Sequence, residues 1–362
     1  MDLQVASDDV LVAETLLRKA GIKYETFIDD VQSMYEQSYK KPSFKFTSEL
    51  GADAFDYGKY HTLDEINDWM KSLQATYPAL VSTVDVGSSF EGRTITALKF
   101  TGSSNSTVVK PGIWLDGGIH AREWVTTASV VYMANELLSQ YGKDAETTDL
   151  LDGLEWFLLP VFNVDGYAFT FDGDRMWRKT RSTSSRKCVG VDPNRNWEMH
   201  WGEAGASTNA CADDYQGPSA FSEIEVKSVA SYIKSQTNLN GYINFHSYSQ
   251  LWMSPYGYST DLPPTADYNA QQSVSAAATK ALLAVHGTKY EYGPISTTIY
   301  PASGSSADWT YSVCGILYSF GVELRDTGKY GFLLPEDQII PTGEETLAAV
   351  KVMAHAIAGD KY

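Results

Sequence analysis

Gly117-Gly118-Ile119-His120-Ala121-Arg122-Glu123-Trp124 joins a short apolar run, Gly112 to Leu115, to a long helical stretch from Trp124 to Tyr141 that Gly142 closes. The apolar run has the length of a buried strand, so the segment stands at a strand exit. Paired glycines let the backbone turn sharply there and carry the next residues to the sheet edge. Those residues include a His and a Glu three positions apart. Imidazole nitrogen and carboxylate oxygen are both zinc donors, and a catalytic zinc takes three such ligands and leaves one place for water. In isolation His-x-x-Glu is more often a surface ion pair than a metal site. Its position after a strand favours the metal, because open α/β sheets hold ligands at their strand exits. Neither His-Glu-x-x-His nor His-x-x-Glu-His occurs in the chain, so a third ligand has to come from elsewhere.

Outward from this segment, strand-like runs alternate with helical ones. Val81 to Val86, Thr94 to Phe100, Leu154 to Val161, Tyr242 to Phe245 and Ile316 to Leu324 read as strands. Thr62 with Glu65 forms a capping box ahead of a stripe of Leu63, Ile66, Met70 and Leu73, which Pro78 stops. Ser222 with Glu225 and Thr342 with Glu345 predict two further helix starts, and another helix spans Ala266 to His286. The alternation means an α/β protein. Phe169 to Gln216 is long, polar and without periodicity, and such a stretch inside a compact domain usually carries function.

The first 40 or so residues form a half-sized α+β unit. Leu3 to Val5 is extended, Asp8 or Asp9 caps a helix bearing Val10, Ala13, Leu16 and Leu17, and Gly21 ends it. Ile22 to Ile28 alternates as a strand, and Asp29 or Asp30 opens a second short helix. The unit is too small to hold a core alone. Next come polar residues with Lys40, Lys41 and Lys45, and then Gly51 to Gly58, a linker open to proteases.

The net charge of −17 and the absence of a basic cluster exclude nucleic acid as a partner, and no apolar run reaches the length of a membrane span. With 3 cysteines there is no disulfide scaffold. Cys188 and Cys211 flank a loop-rich stretch and could form one bridge, while Cys314, in an apolar strand-like run, reads as a buried free thiol. Asn105-Ser106-Thr107 is a glycosylation sequon in a Ser-rich turn. Both features favour an oxidising compartment. The start, Met1-Asp2-Leu3, has neither the basic nor the apolar region of an export signal.

Of the 6 histidines, His61, His286 and His355 lie beside or on helices and read as structural, and His200 lies in the long loop. His246 ends an apolar strand, as a third ligand should, although a core histidine held by hydrogen bonds would look the same. Glu323 ends the last strand, where partial desolvation would raise its pKa and suit a general base. An ion pair with Arg325, two residues on and on the same strand face, competes with that reading. Arg122, Arg178 and Arg195 all lie near these segments. Their planar forks fit a substrate carboxylate or an oxyanion.

With these residues in view, the chain from about Tyr57 to its end resembles a zinc carboxypeptidase of the carboxypeptidase A family. The motifs that carry the resemblance are Gly118-Ile119-His120-Ala121-Arg122-Glu123-Trp124, Asn163-Val164-Asp165-Gly166-Tyr167, Trp177-Arg178-Lys179-Thr180-Arg181 and Gly190-Val191-Asp192-Pro193-Asn194-Arg195-Asn196-Trp197. They continue with His246-Ser247-Tyr248-Ser249-Gln250, Ile299-Tyr300-Pro301-Ala302-Ser303-Gly304 and Phe320-Gly321-Val322-Glu323-Leu324-Arg325-Asp326. The family's His₂Glu zinc site is a known one, so the ligand set is carried over with the resemblance.

The resemblance implies a single large domain, residues 57–362, with a mixed central β-sheet flanked by helices on both faces. It implies one zinc held by His120, Glu123 and His246, Glu323 as general base, and Arg178 stabilising the oxyanion. By the same likeness Asn194, Arg195 and Tyr300 clamp the terminal carboxylate of a peptide, Arg122 and Tyr248 support the peptide, and Asp192 orients the imidazole of His120. Met253, Gly257, Ile295, Ile299, Ala302, Ala307 and Gly321 match the pocket for the departing residue. None is charged, and relatives that prefer Lys or Arg carry an acid where Ala307 stands, so the expectation is a large aromatic or aliphatic C-terminal residue. Cys188–Cys211 matches a family disulfide, and Ser247–Tyr248 and Arg325–Asp326 match cis peptide bonds.

Residues 1–48 resemble the second half of the family's inhibitory activation segment, with 49–56 as linker and an activating cut between Lys40 and Lys59. The resemblance further implies a secreted monomer. Two other functions compete: a catalytically inactive module that binds peptide C-termini, and a zinc amidase or deacylase acting on non-peptide substrates. The first would have lost a ligand or the base, and the second would not need Asn194, Arg195 and Tyr300.

Overall fold

The computed structural model describes residues 5–39, 45–103, 109–183 and 188–360. The helices are α1 (Val10–Lys19), α2 (Val31–Ser38), α3 (Leu63–Thr76), α4 (Trp124–Gln140), α5 (Ala145–Gly153), α6 (Val164–Asp172), α7 (Ile224–Ser235), α8 (Thr265–His286), α9 (Ile295–Thr298), α10 (Ser306–Ser312) and α11 (Ile339–Ala358). The strands are β1 (Val81–Ser88), β2 (Thr94–Thr101), β3 (Gly112–Asp116), β4 (Glu155–Leu159), β5 (Leu239–Ser247), β6 (Leu251–Ser254), β7 (Glu291–Pro294) and β8 (Tyr318–Leu324).

The strands form one 8-stranded sheet in the order β1-β2-β4-β3-β5-β8-β6-β7. Its centre, β4-β3-β5-β8, is parallel, while β1 and β2 at one edge and β6 at the other join by antiparallel pairing. Parallel strands need both faces covered. On β3, Trp114 packs against Tyr232 of α7. Its neighbour Ile113 points the other way, towards Gly241, where Met353 and Ile357 of α11 also converge. Successive strand residues face opposite sides, so helices flank both faces as the resemblance implied.

The box predicted at Thr62 forms: Thr62 accepts from the Glu65 N–H, and the Glu65 carboxylate accepts from the Thr62 N–H. The other two boxes do not. α7 starts behind Glu223 with no side-chain cap, and Glu225 accepts instead from the Phe90 N–H at 2.9 Å. α11 starts at Ile339, so Thr342 lies inside it, donating to the Gln338 carbonyl. Pro341 is tolerated because it falls in the first turn, where no intrahelical N–H bond is lost.

The N-terminal segment departs furthest from expectation. Asp30 caps α2, accepting from the Ser33 N–H, but Ile22–Ile28 forms no strand and no residue of α1 is buried. A strand needs a partner, and among the described residues none lies beside this one. Leu3 and Gln4 of the first extended run, Lys40 and Lys41, and the Asn105 sequon lie outside the described residues. Residues 49–56 are less open than a linker: Ala52 and Phe55 are buried, and Phe55 packs on Phe46, His61 and Trp69. Cys188–Cys211 is a disulfide with Cα atoms 5.2 Å apart, and Cys314 is free but only half-buried, in the turn between α10 and β8.

Candidate metal centre and active site

The glycine turn after β3 is built as its sequence requires. A Cβ on Gly117 would lie 2.8 Å from the Thr126 backbone, and Gly118 takes a φ of +67°. This close approach seats the start of α4 against the strand exit and brings His120 and Glu123 over the sheet edge. Glu123 occupies the N-cap position of α4 but makes no capping bond, and its carboxylate turns to the two imidazoles instead. His120 Nδ1 is 2.9 Å from Glu123 Oε1, His246 Nδ1 is 3.2 Å from Glu123 Oε2, and the two Nδ1 atoms are 3.1 Å apart. A tetrahedral zinc with bonds of about 2 Å sets its ligand atoms about 3.3 Å apart. The spacing and the two-nitrogen, one-oxygen set therefore fit zinc, and among the described residues this is the one group of three such donors.

The surroundings fix these donors. Asp192 accepts from His120 Nε2–H at 3.1 Å, which leaves Nδ1, on the side of Glu123 and His246, as the nitrogen that would hold a metal. Arg178 forks onto Asp192 with Nε and Nη2 at 3.2 and 2.8 Å, and its Nη1 stands 3.7 Å from Glu123 Oε1. Burial would raise the Asp192 pKa, but Arg178 and His120 hold it well below the usual carboxylate range. Burial likewise works against Glu123, and the two imidazoles outweigh it and hold Glu123 ionised. Behind the ligands, Asp116 of β3 accepts from Asn244 of β5 and from Trp114 Nε1, and burial pushes its pKa up to about 7.

Glu323 on β8 is the register partner of His246 on β5. Its Oε2 is covered and has no hydrogen-bond partner among the described residues. Burial, and then the negative charge of Glu123, raise its pKa well above the usual range. The competing pair with Arg325 does not form. Arg325 binds Glu345, Gln338 and Thr288 instead.

Asn194 and Arg195 border the same cleft. The Asn194 amide lies 3.1 Å from His246 Nε2 and accepts from the Ser306 N–H. Arg195 donates to the carbonyls of Gly205 and Asn194, and its guanidinium stands 5.9 Å from the ring of Tyr300, which is 48% exposed. Arg122 pairs with Asp213 at 3.1 Å and lies over the Phe332 ring, which also packs edge-on against Tyr248.

A zinc carboxypeptidase family model matches residues 66–349. The chain is 49% identical over 361 residues to human carboxypeptidase A1, covering 99% of this chain and 84% of the relative. It is also 49% identical over 305 residues to carboxypeptidase B of Astacus astacus, covering 83% and 98%. The crystal structure of thrombin activatable fibrinolysis inhibitor superposes with a TM-score of 0.87 at 37% identity, covering 98% of this chain and 89% of that one. This chain belongs to the zinc carboxypeptidase family. It is a metallocarboxypeptidase, with zinc as its cofactor and peptide C-termini as its substrates.

Relatives named carboxypeptidase A1 and carboxypeptidase B show the same identity to this carboxypeptidase, so the positions expected to receive the departing residue have to be read from their own surroundings. Met253, Ile295, Ala302 and Ala307 are buried in one apolar cluster with Leu251, and Ile299 packs against it. Gly257 touches the cluster through Ile295 and Ala302. A Cβ built on Gly321 would meet nothing within 4 Å, so there is open space beside β8 at the register partner of Met253. The sequence reading missed Leu251, although its i, i+2 relation to Met253 on a strand was a usable signal. It also missed Asp213 and Phe332 beside Arg122, and these carry no local signal. Ser247–Tyr248 and Arg325–Asp326 are cis as implied, and Pro255–Tyr256 is a third cis bond.

Proposed function

We propose that this carboxypeptidase removes large aromatic and aliphatic C-terminal residues, with His120, Glu123 and His246 as zinc ligands and Glu323 as general base. The bound zinc supplies a Lewis acid that makes water a nucleophile at neutral pH and polarises the scissile carbonyl. Glu323 takes a proton from the attacking water and passes it to the leaving amine. Arg178, held by Asp192, donates to the oxyanion as charge develops. Asn194, Arg195 and Tyr300 bind the terminal carboxylate, and Arg122 and Tyr248 support the peptide on the other side of the cut.

The observation that carries the specificity is the uncharged cluster of Leu251, Met253, Ile295, Ala302 and Ala307 beside the open space at Gly321. Burying an ammonium there without a partner is costly. On N-blocked dipeptides, C-terminal Phe should exceed C-terminal Lys in kcat/KM on the order of 100-fold. o-Phenanthroline should abolish the activity and zinc restore it. Comparable rates on Phe and Lys would remove the specificity, and indifference to the chelator would remove the metal mechanism.

Residues 1–48 we read as part of an activation segment, cut between Lys40 and Lys59 to release the enzyme. The disulfide supports an oxidising, extracellular setting. We read the working form as a monomer.

A further inference from the structure

Next to pocket residue Ala307, α10 carries a buried carboxylate that the reaction does not use. Both oxygens of Asp308 accept from the Gly257 N–H, at 2.9 and 3.0 Å, and Oδ2 also accepts from the Tyr258 N–H at 3.2 Å. Gly257 is held from its other end as well, since its carbonyl accepts from the Ala302 N–H at 2.8 Å. A Cβ on it would stand 2.8 Å from the Ala302 carbonyl and 3.2 Å from both Asp308 Oδ2 and Ile295 Cγ2. The segment after β6, the segment through Ala302 and α10 therefore meet at one glycine with no slack. Asp308 is itself anchored, because Ser305 accepts from its N–H at 3.3 Å.

This joint is a strong one, because a carboxylate accepting backbone N–H bonds makes charge-assisted hydrogen bonds. It also explains why an acid so close to Ala307 does not make the pocket basic-specific. Asp308 is fully covered, and both its oxygens are spent on backbone N–H groups.

We propose that Asp308 is a positioning residue for specificity: its carboxylate holds the Gly257 wall at the distance from Ile295, Ala302 and Ala307 that a large C-terminal side chain needs. This rests on the pocket reading above. Asn at this place keeps one acceptor oxygen and turns an amide N–H₂ towards the backbone donors, so the wall relaxes. A side chain as small as Ala leaves most of the pocket unused and does not sense the change.

The test is steady-state hydrolysis of N-blocked dipeptides ending in Phe or Ala by the zinc-loaded chain carrying Asp308→Asn or, separately, Ser305→Ala. Ser305→Ala removes the acceptor that anchors the Asp308 N–H and so loosens the carboxylate without replacing it, which carries the test if Asp308→Asn does not fold. The expected result is a KM for Phe raised roughly tenfold, as for the loss of one charge-assisted hydrogen bond, with kcat nearly unchanged and the Ala substrate unaffected. A parallel loss on both substrates, or an unchanged KM for Phe, would overturn the proposal. A parent enzyme with no preference for Phe over Ala would overturn the pocket reading itself, and the proposal with it.

Discussion

Glu323 is a carboxylate in the cleft whose Oε2 has no partner among the described residues, while nearby acids are fully engaged. Such isolation costs stability and leaves the group available to move protons. Glu323→Gln keeps shape and volume but removes the carboxylate proposed as the base. Its kcat should fall roughly 10²- to 10⁴-fold while KM and bound zinc stay near parent values. Rate measurements paired with metal analysis check this, and a loss of zinc in step with activity would reassign Glu323 to metal binding. The three donors that converge were legible because each stands at a strand exit: His120 and Glu123 behind paired glycines, His246 closing an apolar run. The fate of Arg325 was not legible, because its partner Glu345 lies on α11 and nothing local announces it. Asp308 was hidden for the same reason, since its partners are about 50 residues away.

At the scale of elements, the three capping boxes read alike and only one forms. Glu65 has its Thr62 to bind, whereas Glu225 and Glu345 are recruited by tertiary partners, Phe90 N–H and Arg325. A local motif holds only where no stronger partner arrives from elsewhere in the chain. Strand existence was read well for β1 to β5 and β8, where apolar runs pair with neighbours; the four-residue strands β6 and β7 were missed, being too short to show an alternation, and Ile22–Ile28 was misread, with no neighbour present among the described residues. The recruitment of Glu225 has a measurable consequence. Burial, and then Glu223 and Asp165, raise its pKa to about 7. The native state therefore keeps a proton that the unfolded chain releases near pH 4.5. The resulting stabilisation is complete below that pH, declines as pH rises through about 7, and then levels off. Glu225→Gln should match the parent at about pH 4 and exceed it at about pH 8 by about 3 kcal/mol in urea unfolding. An equal difference at both pH values would show that this carboxyl does not titrate in that window.

Across the whole molecule, the described residues of the N-terminal segment meet the rest of the chain at α2 and again at Lys45 and Phe46, which bind Asp64 and Glu65 of α3. Tyr35 at α2 and Tyr39 just past its end pack on Trp124, Tyr39 also meets Phe171, and α2 touches the turn Gly331–Leu333. That turn holds Phe332, which faces Tyr248 and Arg122, and Arg175 ties the carbonyls of Phe332 and Arg122 together beneath the Trp124 ring. The segment thus leans on the turn beside Tyr248 and Arg122, although no residue of α1 is buried. Limited trypsin should cut among the lysines between 40 and 59 and raise activity on a C-terminal Phe peptide. Cleavage at those lysines without a gain would end the activation-segment reading.

The sheet order has one more consequence. The strands that deliver His120, His246 and Glu323 are β3, β5 and β8, three immediate neighbours running the same way. Their spacing is thus fixed by ladder hydrogen bonds, not by the peptide between them, although His120 and His246 are 126 positions apart. The intervening chain is free to be lengthened, trimmed or exchanged without moving the reacting groups. Grafting a different rim onto this frame should therefore change what the enzyme cuts long before it changes how it cuts.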